Sequence, residues 1–217
     1  MNERLEKLLK REQELVDEIF NFEFIPPPLS RPIKADVLTF DWSSLDKFDV
    51  ITLDPPWMIS STHPSRGVAI GYKTITDEQI ANLPIEDLQA NGLIFLWVIN
   101  NKFKFGFDLL EKWGYDYVDD ITWVKKTINR RVAKGHGYYL QHAKETCLVG
   151  MKGDLDPLLF KREIGSDVIF SERRGQSQKP EEIYHLVEEI APGGKYLEIF
   201  GRRNNLRNHW VTVGNEL

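Results

Sequence analysis

Leu53-Asp54-Pro55-Pro56-Trp57 sets a carboxylate, two stiff carbonyls and an indole side by side, directly after the apolar run "FDVIT". Asp-Pro alone is also a common turn, and an aromatic at a sheet rim needs no function. Together the four residues suit one demanding reaction, methyl transfer to an exocyclic amine. Adenine N6 is a poor nucleophile because its lone pair is delocalised into the ring. Two fixed acceptors, the Asp54 carboxylate and the Pro55 carbonyl, can each take one N6–H and favour the geometry in which that lone pair points outward. Proline fixes φ and offers no competing N–H. Trp57 can supply a stacking surface, a contact of about 1–3 kcal/mol for a base drawn out of its strand. A sulfonium methyl donor is also stabilised beside a carboxylate.

Such a motif must sit on a scaffold, and the surrounding pattern alternates between strand and helix. The strand "DVITL" is followed by a helix from Thr76, with Gln79 completing a capping box, then the strand "GLIFLWVI" and the helix "NKFKFGFDLLEKWG". "DITWVKK", "KETCLVGMK" and "DVIFS" read as strands. The helix "KPEEIYHLVEEIAPGG" and the strands "KYLEIF" and "WVTVG" close the chain. Near-continuous apolar central strands predict an α/β sheet, in which ligands gather at the carboxyl ends of the strands. That rule predicts one rim for "KADV", "LDPPW" and "FGRRNN". Residues 1–33 read as an amphipathic helix and a proline-stiffened connector, "FIPPPLSRP", and residues 34–217 as the main domain.

The chain has 217 residues, 41% hydrophobic, enough for one full core. Its charged amino-terminal stretch predicts neither a signal peptide nor a membrane span. Cys147 is the only cysteine, which excludes a disulfide framework or a cysteine zinc cluster and fits a reducing cytoplasm or nucleus; of these the nucleus is the expected location. A net charge of −5 disfavours a simple nucleic-acid-binding module, because polyanion binders are usually basic. Local basic patches or a partner must supply that attraction. Lys125, Lys126, Arg130, Arg131 and Lys134 form such a patch, although most charge runs are only solvated faces. His136 and His142 lack a third ligand, so no metal site is expected. Trp97, Trp113 and Trp123 lie in apolar runs and read as core.

These residues carry a resemblance. "KADVLTFD", "LDPPW", "GYKTITDEQI", "LIFLWV", "KWGYDYVDDITWVK", "HAKETCLVGMKG", "SQKPEEIYHLVE" and "LEIFGRRNNLRNHWVTVGNEL" occur in the order found in the DPPW-type N6-adenine methyltransferases, over about Lys34 to Leu217. The chain is similar in particular to the catalytic subunit of the ciliate DNA adenine methyltransferase complex. The resemblance implies a Rossmann-like, S-adenosylmethionine-dependent methyltransferase fold with permuted motifs, target-base motif first and cofactor strand last. It implies Asp54, Pro55, Pro56 and Trp57 as the catalytic motif. It assigns Asp36 and Val37 to the cofactor adenine, Lys179 to its carboxylate end, Arg202 and Asn205 to its ribose and Asn215 near its adenine. Glu198 and Phe200 join the cofactor set with Asp54. Asn204 and Glu216 stand where the messenger-RNA enzymes usually have histidine and glutamine. Tyr72 matches a mobile active-site loop, and the basic stretch matches a nucleic-acid groove and partner interface.

The favoured reading is a catalytic subunit acting on adenine N6 in DNA with a paralogous partner subunit and further DNA-binding proteins. RNA as substrate and a non-catalytic scaffold of the same fold are the alternatives. Intact Asp54 and Trp57 argue against the scaffold.

Overall fold

The structure, a computed structural model, describes residues 25–58, 74–135, 137, 139–174 and 178–217. The amphipathic helix expected within residues 1–24, Tyr72 and His136 lie outside the described residues. Strands β1 (Arg31–Lys34) and β2 (Val50–Leu53) precede helices α1 (Asp77–Ala81) and α2 (Ile85–Leu88); β3 (Gly92–Val98) leads to α3 (Phe103–Lys112). Three strands follow, β4 (Asp116–Lys126), β5 (Lys144–Lys152) and β6 (Val168–Glu172), then α4 (Glu182–Ile190), β7 (Tyr196–Ile199) and β8 (Trp210–Gly214).

All eight strands form one sheet in the order β1-β8-β7-β2-β3-β5-β4-β6. The first five in that order run parallel, β5 is antiparallel to both neighbours, and β6 is parallel to β4. This is a Rossmann-like α/β fold. Period-2 alternation sorts the strand residues onto two cores. Ile51, Leu53, Ile94, Leu96, Leu197 and Ile199 face α1 to α3, whereas Val50, Phe95, Trp97, Tyr196 and Trp210 face α4. Trp97, Trp113 and Trp123 are buried, as their apolar settings predict.

Local chemistry explains the elements. Thr76 Oγ1 accepts from the Gln79 N–H at 3.2 Å and Gln79 Oε1 from the Thr76 N–H at 2.9 Å, so α1 begins at the expected capping box. Gly106 lets α3 lie flat on the sheet, because a Cβ there would meet Leu148 and Val98 at 2.7 Å. Two elements escape the sequence pattern. The connector does not stay a spacer: Arg31–Lys34 pairs with β8 and brings its last residues into the sheet, ahead of the boundary drawn at Lys34. Pro32 is tolerated there because β1 is an edge strand. Helix α2 spans one turn, too short for periodicity to reveal. Strand β4 starts at Asp116 instead of Asp120, its first four residues being exposed and including the acids Asp116 and Asp119.

The fold positions the site through β2, which has β3 on one side and β7 on the other. The chain therefore leaves β2 in one direction and returns later on its other flank. A parallel sheet opens a crevice at such a reversal, outside the carboxyl ends of the strands.

Candidate active site

Asp54 leaves the end of β2, and one position on its side chain is already taken. Lys179, just before α4, holds its ammonium 2.7 Å from Asp54 Oδ1 and 3.2 Å from Glu145 Oε2 on β5. Lys125 at the end of β4 pairs with the same Glu145. The Lys179 ammonium also lies over the Trp97 ring, 5.4 Å from its centre. Burial raises the pKa of Asp54 more than Lys179 lowers it, so its carboxyl sits above the usual carboxylate range although 21% of the side chain is open to the cleft. Glu145 goes the other way: burial raises it, but Lys179 and Lys125 together outweigh that and leave it lowered. Lys179 is raised, its desolvation outweighed by the two carboxylates.

The proline pair bends sharply. The Trp57 N–H donates to the Pro55 carbonyl at 2.8 Å and the Ile75 N–H to the Pro56 carbonyl at 3.2 Å. Pro55 thus keeps one lone pair for a ligand, which is what the two-acceptor scheme requires. Trp57 takes a different place from the one its motif suggests. It is only 4% exposed, its indole N–H donates to the Trp97 carbonyl at 3.0 Å, and its ring meets Phe105 edge-on. Most of the stacking surface expected of Trp57 is covered, and the side chain acts as a brace that fixes the turn to β3.

The opposite wall follows β7. Phe200 has φ 68°, a left-handed backbone conformation that is unfavourable for an aromatic residue and is held by its surroundings. Gly201 explains the glycine in "FGRR": a Cβ there would strike Thr212 at 2.1 Å, so the residue is needed for close approach between neighbouring strands. Arg202 lies 3.9 Å from Glu216, and its N–H donates to Asn205 Oδ1 at 2.9 Å. Asn205 in turn donates to the Tyr184 hydroxyl at 2.6 Å. On the flank, the Asp36 carboxylate accepts the Leu38 N–H at 2.9 Å, and Val37 is buried beside it.

These walls enclose a cleft of about 250 Å³ lined by Asp36, Val37, Asp54, Pro55, Pro56, Trp57, Glu145, Lys179, Phe200, Arg202, Asn215 and Glu216 with Leu38, Ile75 and Ile99. The three stretches expected on one rim do meet there. A wider hollow of about 630 Å³ opens at the amino ends of β7 and β8, but its one arginine, Arg207, is engaged by Glu188 and Glu181 and no reactive groups converge on it. We place the chemistry in the smaller cleft.

Several expected residues fall elsewhere. Glu198 does not reach the cleft: strand alternation turns it under the floor, where it accepts from Thr52 and Tyr184. Asn205 supports Arg202 from below, and Asn204 is exposed outside the lining. Lys125 contributes by holding Glu145, while Lys126 lies over the Phe170 ring and Arg130, Arg131 and Lys134 are exposed on the loop after β4. Glu145 is the residue that the sequence reading missed. Its only signal was an acid placed among the apolar residues of "KETCLVGMK".

A carboxylate, a free carbonyl lone pair and a buried ammonium converge at one end of the cleft, with acidic and amide groups at the other. Such a site can orient an amine and hold a donor bearing both a cation and a carboxylate. Comparison with known proteins agrees with that chemistry. Residues 48–216 match the MT-A70 family model. The N(6)-adenosine-methyltransferase subunit METTL3 of Danio rerio is 42% identical over 87% of this chain and 31% of its own length. The N(6)-adenosine-methyltransferase catalytic subunit METTL3 of Homo sapiens is 41% identical over 85% and 31%. The N(6)-adenosine-methyltransferase non-catalytic subunit METTL14 of Drosophila melanogaster is 33% identical over 85% and 50%. The chain spans about a third of the length of the first two. The names of these relatives specify N(6) methylation of adenosine, a ribonucleoside. With residues 48–216 matched by the family model and relatives at about 40% identity over most of its length, this chain belongs to the MT-A70 family.

Proposed function

We propose that this protein is the catalytic subunit of an S-adenosylmethionine-dependent methyltransferase that modifies adenine N6 in RNA. The observation that carries the reading is the convergence of Asp54, the Pro55 carbonyl and Lys179 on a single cleft. The residues present fit the donor: Asp36 and Asn215 offer hydrogen-bonding groups for its adenine, Arg202 and Glu216 for its ribose, Asp54 an opposite charge for its sulfonium and Lys179 one for its carboxylate. When bound, S-adenosylmethionine supplies an electrophilic methyl group that needs no further activation. Asp54 and the Pro55 carbonyl orient the amine by each accepting a hydrogen bond from one N6–H, and Asp54 stabilises the positive charge that develops on N6 before one proton is released. Lys179 holds Asp54 in place, and the buried Trp57 prevents the turn from relaxing.

A paralogous subunit of the same fold is the proposed partner, supported by the METTL14 relative, and the nucleus is the proposed location. Binding of nucleic acid by an acidic chain then relies on the exposed Arg130, Arg131 and Lys134 together with that partner.

The test is methyl transfer from labelled donor to matched RNA and DNA oligonucleotides, with and without the partner, followed by nucleoside analysis. N6-methyladenosine in RNA supports the proposal. Label in DNA alone moves the enzyme to the DNA branch, and no label with any combination leaves a scaffold.

A further inference from the structure

Beneath the cleft floor runs a row of polar side chains in an otherwise apolar sheet. Thr52, Glu198 and Thr212 are in register across β2, β7 and β8, all buried and all on the face that meets α4. Glu198 is where four parts of the fold meet. Thr52, two residues before Asp54, bonds one carboxyl oxygen, and Tyr184 of α4 donates to the other at 3.3 Å. Tyr184 receives Asn205 Nδ2 at 2.6 Å, and Asn205 Oδ1 accepts the Arg202 N–H at 2.9 Å. A continuous hydrogen-bonded chain therefore links the strand of Asp54 to the turn that lines the opposite wall.

We propose that Glu198 is a positioning residue that ties the turn after β7 to the strand carrying Asp54 and so holds the methyl-donor wall in register with the reacting one. The inference rests on the cleft being the donor site. Thr52 donates to one carboxyl oxygen and has the Leu197 carbonyl 3.3 Å from the same hydroxyl, while Tyr184 donates to the second oxygen, so both carboxyl oxygens are engaged within the buried row. Burial pushes Glu198 up to about 8, with Asp54 adding to the rise and Thr52, Tyr184 and Lys179 opposing it. The other titratable group facing it, the buried Cys147 thiol of β5, is itself raised and neutral. Ionisation adds a third carboxylate around Lys179 and loosens the turn.

The experiment is calorimetric binding of S-adenosylmethionine to the full chain across this pH range, with thermal unfolding as the check on folding. Wild-type affinity falls about tenfold as pH rises through about 8, as expected for losing one well-buried network. Glu198→Ala binds weakly at every pH, Glu198→Gln rescues binding and abolishes the alkaline loss, and Thr52→Val weakens binding without altering the fold. In the methyl-transfer assay the loss falls on KM for the donor and not on kcat. Wild-type affinity in Glu198→Ala, or an unchanged alkaline loss in Glu198→Gln, overturns the inference while leaving the donor site intact. Failure of the wild-type chain to bind donor at any pH overturns both.

Discussion

One buried ammonium serves two carboxylates from different strands: Lys179 Nζ is 2.7 Å from Asp54 Oδ1 and 3.2 Å from Glu145 Oε2. Replacing it with methionine leaves two acids facing one another without a cation, a break that typically destabilises by about 3 kcal/mol. Lys179→Met is therefore expected to melt well below wild type. Asp54 must be ionised to accept the amine hydrogen bond and stabilise the charge developing on N6, so activity falls as pH drops through its folded pKa. Removing Lys179 deletes the largest lowering influence on that pKa and moves the acid limb of the rate profile to higher pH. A melt and a pH–rate profile together test the claim, and unchanged values in both count against it.

Asp54→Ala is expected to abolish turnover and keep the fold, because the side chain stands at a strand end with part of its surface in the cleft. Asp54→Asn retains the shape but not the charge and should lose about a hundredfold in kcat, the scale seen when one preorganised charge-stabilising group is lost. Circular dichroism and single-turnover methylation separate the two effects. Turnover near the wild-type rate in either variant would remove Asp54 from the mechanism.

Trp57→Phe removes the indole N–H and leaves the Trp97 carbonyl without that donor. The expected loss is about 1–2 kcal/mol of stability by denaturant unfolding, the penalty for a buried unsatisfied acceptor. A side chain that braces the turn should show this loss of stability. If stacking on the base were its main role, phenylalanine would leave stability unchanged and raise KM for nucleic acid instead.

The stability–pH curve of Glu198→Gln relative to wild type isolates one carboxyl. Glu198 is raised from 4.5 to about 8, so the folded state holds a proton that the unfolded state releases earlier. Its contribution is fully present below 4.5 and lost as pH rises to about 8. The variant should gain on wild type across that window in thermal melts. A constant difference between the two would show that Glu198 does not titrate there.

Much of the site was legible because strand ends are. "LDPPW" and "FGRRNN" each follow an apolar strand, and the parallel sheet brings those ends to one rim, where "KADV" joins them from the end of β1. Glu198 was misplaced because its motif was read as a unit, whereas alternation with Leu197 and Ile199 turns it towards α4. Glu145 was invisible for another reason. Its place beside Lys179 depends on β5 entering antiparallel between β3 and β4, a long-range pairing that no local pattern encodes. Strand β1 was hidden by Pro32 and the prolines just before it, and the exposed start of β4 by its acids.

The pairing of β2 with β7 also dictates when the site can exist. Thr52 and Glu198 are separated by 146 positions, and the wall opposite Asp54 is built from residues near the carboxyl end of the chain. A nascent chain emerging from the ribosome therefore carries Asp54 long before the opposite wall of the cleft is made. Closing so long a loop favours slow folding, and until β7 arrives the β2 edge that it covers stays unpaired.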